Sequence, residues 1–69
     1  METDLIKRNS IGKLLRAEEV AEILSVSPSY VYKLMREGTI PSIPIGRAVR
    51  VRERDLMEFI DERAQNNRV

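Results

Sequence analysis

Three residues, Ser25, Val26 and Ser27, separate two segments with helical signatures, and this short gap constrains the fold more than any other feature. Before it, "LLRAEEVAEIL" places Ala17, Val20, Ala21 and Leu24 at helical spacing, with Glu18, Glu19 and Glu22 turned outward. After it, Ser27 is a favoured N-cap, Pro28 suits the first helical position, and Gly38 tolerates the left-handed conformation that ends a helix. The spacing predicts a first helix over 17–24 and a second that starts at Pro28 and stops at Gly38. A connection this short predicts a helix-turn-helix pair.

The first helix is poorly capped, because Arg16 falls at its N-cap. Glu19, three residues on, favours the positive helix end, and Leu15 with Val20 forms a possible hydrophobic staple. Val26 with Val31 and Val51 with Leu56 offer two more such pairs.

Beyond Gly38 the period changes. In "IPSIPIGRAVRVR", Ile43 and Ile45 share one parity, Val49 and Val51 share another, and Arg50 and Arg52 point the opposite way. Two short strands around a Gly46-Arg47-Ala48 turn predict a β-hairpin with its aliphatic parity on the core. "ERDLMEFIDERA" then predicts a third helix that buries Leu56, Phe59 and Ile60, with Met57 a further candidate. The expected architecture is one small, mainly α domain over residues 14–64 in the order α-α-β-β-α, with a loose arm over 1–13 and a frayed tail over 65–69.

The absence of cysteine and histidine removes disulfides, thiolate chemistry and the commonest general base and metal ligand. Glu18, Glu19 and Glu22, and Glu58, Asp61 and Glu62, therefore read as solvated helix faces. No enzyme activity, cofactor or metal is expected. Residues 1–10 lack a secretion-signal pattern and no apolar run reaches membrane-span length, so a cytoplasmic location is expected.

Net charge is only +1, but it is unevenly spread. Residues 25–52 carry +4 between flanks of −1 and −2. On the second helix, Val31, Leu34 and Met35 share the apolar face, while Ser29, Lys33 and Arg36 share the opposite one, with Tyr30 and Tyr32 on its flanks. An exposed basic helix of this kind fits the major groove of duplex DNA. The hairpin beside it would be a wing, with Arg47 at its tip suited to the narrow minor groove and Arg50 and Arg52 along its strand. The alternatives are that Lys33 and Arg36 are ordinary solvated charges, and that the hairpin arginines protect an exposed sheet edge. Tyr32 could pack on the wing or donate its hydroxyl to a phosphate.

Residues 14–60, above all "EEVAEILSVS", "VYKLMREG", "IP" and "IGR", resemble the excisionase-type winged helix-turn-helix family, relatives of the MerR-type DNA-binding domain. The resemblance implies DNA readers at Ser27, Pro28, Ser29, Tyr30, Tyr32 and Lys33 on the helix and Arg47 on the wing. It departs from the family's pattern at Arg16, where Ser or Thr is usual, at Pro28, where a basic residue is common, and at Val49, where an aromatic is common. It further implies a small recombination directionality factor that bends attachment-site DNA and steers an integrase toward excision. A small transcriptional regulator with the same binding mode is the alternative, and a protein-interaction module with a basic face is an alternative of another class. With Leu56, Phe59 and Ile60 assigned to the core and a polar end, the chain is expected to be a monomer that assembles cooperatively on adjacent DNA sites.

Overall fold

The computed structural model describes residues 12–66. Strand β1 (Leu14–Leu15) leads into helix α1 (Ala17–Leu24), helix α2 (Pro28–Arg36), strands β2 (Ile43–Ile45) and β3 (Ala48–Arg52), and helix α3 (Glu53–Asn66). The three helices and the hairpin are those that the sequence predicts, and they form a winged helix-turn-helix. Residues 1–11 of the expected arm and 67–69 of the expected tail lie outside the described residues. Gln65 and Asn66, expected in the tail, belong to α3.

Local chemistry explains the helix boundaries. At α1 the Arg16 N–H donates to Glu19 Oε1 at 2.8 Å. The reciprocal bond of a capping box is denied, because a guanidinium has no acceptor. This backbone hydrogen bond, helped by Arg16, Lys13 and Arg50, holds the Glu19 carboxyl below its usual pKa. A carboxylate with a lowered folded-state pKa stabilises the fold at neutral pH, and that contribution disappears as pH falls through the lowered value. Acidification below the ordinary glutamate range, about pH 4.3, is therefore expected to cost wild-type protein more stability than Glu19→Gln, as read by urea midpoints along a pH series.

Helix α1 ends at Ser25, which adopts a left-handed conformation with φ 60°. Its N–H donates to Glu22 O at 3.2 Å and that of Val26 to Ala21 O at 3.0 Å, a Schellman ending that reverses the chain within the short turn. Helix α2 starts as expected, with Ser27 Oγ accepting from the Tyr30 N–H at 3.3 Å. It also stops as expected: Gly38 has φ +78°, and the Thr39 N–H donates to Leu34 O at 2.9 Å.

Nine aliphatic residues form the core: Leu15, Ala17, Val20, Ala21, Val31, Leu34, Ile40, Val51 and Leu56, with Leu24, Met35 and Phe59 packed against them. Both members of the Leu15–Val20 and Val51–Leu56 staples are buried, whereas Val26 is left exposed. Ile40, fully buried between two segments with no periodicity, is a core residue that the sequence pattern does not reveal.

The sheet differs from the expected hairpin in two ways. First, β1 pairs antiparallel with β3, Leu14 opposite Arg52 and Leu15 opposite Val51, so β3 is the central strand of the order β1-β3-β2. Arg50 and Arg52 thus sit on the central strand, Arg50 opposite Ile43 of β2 and Arg52 opposite Leu14 of β1. The free edge beyond β3 belongs to β2, where Pro44 withholds a donor.

Second, the turn contains Gly46 and Arg47 only, with Ala48 paired opposite Ile45. Strand side chains alternate, so one residue of loop length moves a whole strand to the other face. Ile43 and Ile45 consequently share a face with Arg50, while Val49 and Val51 lie on the face of Pro44. That leaves Ile45 48% exposed instead of packed in the core. Gly46 has φ +61°, as a glycine-first two-residue turn requires. Gly46→Ala is expected to cost about 1 kcal/mol, because an added Cβ meets open space but not a permitted backbone conformation. Amide exchange across the Ile43–Arg50 pair should accelerate correspondingly.

Helix α3 buries less than predicted. Leu56 is buried and Phe59 partly so, but Ile60 is 38% and Met57 59% exposed. The helix packs through Asp55, Leu56 and Phe59, a face turned slightly from the one that hydrophobicity alone selects.

Candidate nucleic-acid interface

The α2 surface away from the core carries Ser29, Lys33 and Arg36, all exposed, with Tyr30 and Tyr32 also exposed. No acidic residue occupies its first turn, and Lys33 and Arg36 occupy its last. Lys33 Nζ sits 5.9 Å from the Tyr30 ring centre, a cation–π distance that aligns the two side chains on one flank. Ser27 is exposed, but its Oγ already serves as the helix cap and lies 3.3 Å from Ser29 Oγ. Pro28 is exposed at the first helical position, where its missing N–H costs the helix nothing.

Tyr32 bridges elements. Its hydroxyl donates to Glu18 Oε2 of α1 at 3.3 Å, and its ring lines a cleft of about 190 Å³ with Met35, Arg36, Ser42 and Val49. The packing of Tyr32 beside the wing follows the sequence expectation. Its hydroxyl points toward Glu18 Oε2 through a long, solvent-exposed contact. Neither the cleft nor the Glu18 contact was legible beforehand, because both depend on where the hairpin folds back.

The five basic residues of the central segment divide into two groups. Lys33 and Arg36 lie on α2, and Arg47 is exposed at the wing tip. Arg50 and Arg52 lie on the sheet face opposite Val49, which is the residue turned toward α2. Arg50 is half-buried and donates to Val49 O at 3.0 Å. Arg52 donates through Nε to Asp55 Oδ2 at 2.8 Å and through a terminal nitrogen to Oδ1 at 3.4 Å. Hydrogen bonding and attraction to Asp55 raise the Arg52 pKa, which locks in its charge as a partner for a carboxylate only 7% exposed. Sequence reasoning places Arg52 at the DNA; the structure gives it a structural partner at the start of α3, where an acidic residue also suits the helix dipole. Arg52→Gln is therefore expected to lower the melting temperature, because Asp55 would remain buried without its cation. The same substitution should leave the ionic-strength dependence of DNA binding unchanged.

A larger concavity of about 280 Å³ lies along α3, lined by Glu58, Asp61, Glu62 and Gln65. Its carboxylates would repel phosphate, so the cationic side of the molecule is the α2–wing side. Among the described residues, no helix is long and apolar enough to cross a membrane.

A short-linked helix pair, an exposed basic second helix and an adjoining hairpin with a cationic tip define a winged helix-turn-helix domain. The chain belongs to the helix-turn-helix domain family, whose model matches residues 14–64. It is similar to an uncharacterised Bacillus subtilis protein, YvgK, at 45% identity over 42 residues, covering 61% of this chain and 14% of that one. It is also similar, at 33% identity over 49 residues, to a Mycobacterium tuberculosis protein found in two strains and described as a candidate DNA-binding protein. There the match covers 71% of this chain and 63% of the relative. No solved structure matches the chain.

Proposed function

We propose that this chain binds duplex DNA sequence-specifically, with α2 in the major groove and the wing tip directed to the adjacent minor groove. The observation that carries the reading is the exposed basic face of the second helix, Lys33 and Arg36, beside a hairpin whose turn exposes Arg47. Ser29, Tyr30 and Lys33 are the candidate base readers, while Arg36 and Arg47 hold the backbone and the minor groove. The matched Mycobacterium relative, described as a candidate DNA-binding protein, adds support to DNA as the partner.

The finer role we assign is that of an excisionase-type directionality factor in the cytoplasm, bending attachment-site DNA so that a partner integrase is steered toward excision. The resemblance across residues 14–60 supports this role, and a small transcriptional regulator with the same binding mode is the alternative. The protein acts as a monomer that gains affinity on adjacent sites. On α3, Met57 and Ile60 are the exposed large apolar side chains, set among charged residues and not in a continuous apolar seam.

Selection from a random-sequence duplex library tests the DNA reading. Enrichment of one motif, with protection of about one helical turn, is the expected result. Retention of all sequences alike, with heparin competing as well as DNA, would contradict specific recognition. Circular-permutation gel shifts on the enriched motif then test bending.

A further inference from the structure

We infer that the cleft between α2 and the wing is a seat for a deoxyribose of the DNA backbone, with Val49 as its floor. This rests on the DNA reading above. When α2 lies in a major groove and the wing tip points to the neighbouring minor groove, the sugar–phosphate strand dividing the two grooves must pass between helix and wing. The cleft lined by Tyr32, Met35, Arg36, Ser42 and Val49 occupies that gap.

Its chemistry fits a sugar better than a phosphate or a base edge. Met35, Val49 and the Tyr32 ring make most of the wall apolar, matching the carbon face of a deoxyribose. Arg36 and Ser42 supply one guanidinium and one hydroxyl, enough for the phosphate that follows the sugar. The Tyr32 hydroxyl is directed toward Glu18 Oε2 at 3.3 Å. A site for phosphate alone would gather more cations. Base edges, for their part, are reached from Ser29 and Lys33, on the outward face of α2. The two-residue turn matters here, because its register turns Val49 toward α2 and sends Arg50 to the other face.

Apolar contacts and charge contacts separate in a salt titration, since only the second release counterions. The probe is a fixed DNA duplex of about 20 base pairs, titrated from low to moderate salt against the full chain. Val49→Ser is expected to weaken binding about tenfold at every salt concentration without changing the slope, and the shape-preserving Val49→Thr about threefold. Arg36→Gln should make the slope shallower by about one unit. Met57→Ser, an equally simple loss of exposed apolar surface on α3, should change neither. Thermal melts confirm that the variants are folded, and Val49→Thr preserves the test if Val49→Ser is not. Wild-type affinity in a folded Val49 variant would overturn the seat while leaving DNA binding intact. Failure of the wild-type protein to bind the duplex at all would instead overturn both readings.

Discussion

Ile40→Ala is expected to remove about 3 kcal/mol of folding stability, more than any single change at an exposed position. Ile40 is fully buried, and it lies where the chain leaves α2 for the wing, so its side chain ties the helix pair to the hairpin. Truncation would remove its transfer free energy and leave a cavity that the rest of the core cannot fill without moving. A chain of 69 residues has on the order of 7 kcal/mol to lose. The urea midpoint should therefore fall to a little over half its wild-type value, with the slope of the transition preserved. A loss below about 1 kcal/mol would show that Ile40 is less central than its burial indicates.

The second large effect is electrostatic. With Arg50 and Arg52 turned to the other sheet face and engaged there, Lys33, Arg36 and Arg47 remain to meet the DNA and displace its counterions. Affinity for duplex DNA should then fall with salt at a log–log slope of about −3, compared with about −4 if all the central basic residues took part. Neutralising the three together is expected to lower affinity on the order of a hundredfold to a thousandfold near 0.1 M salt and to flatten the slope almost to zero. Neutralising Arg50 and Arg52 together should leave the slope near −3. Lys33→Ala alone should additionally blur preference at one or two base pairs, at about 1–3 kcal/mol. The measurement is a set of fluorescence-anisotropy titrations at several salt concentrations. A slope that follows Arg50 and Arg52 instead would reverse this division of the cations.

Much of the fold was legible because its decisive signals are local. Ser27, Pro28 and Gly38 mark both ends of α2 by backbone chemistry that acts within a turn of the helix. The apolar spacing from Ala17 to Leu24 sets α1 to the residue. What escaped depends on distant partners or on small differences in register. Strand β1 has two residues, too few for any period, and its partners Val51 and Arg52 lie far along the chain. The Gly46-Arg47 turn differs from the expected one by a single residue, yet that residue moves Ile43 and Ile45 away from Val49 and Val51. Ile40 stands alone between Thr39 and Pro41, so no pattern announces its burial.

The interface divides along the same line. The outward face of α2 follows from helical geometry, and the structure leaves Ser29, Lys33 and Arg36 exposed as expected. The fate of Arg52 had a signal that charge counting missed, since an acidic residue three positions on, at the start of a helix, is placed to capture it. The cleft around Val49 had none, because its walls come from separate elements that meet only after folding.

Backbone amide chemical shifts would show whether α2 and the wing tip form one DNA-binding side. The isotope-labelled 69-residue chain would be titrated with the selected duplex, or with the fixed duplex at low salt. The largest shifts are expected at Ser27, residues 29–36 and residues 46–49, while those from Glu58 to Gln65 stay near zero. Shifts centred on α3, or spread evenly over the chain, would contradict this expectation.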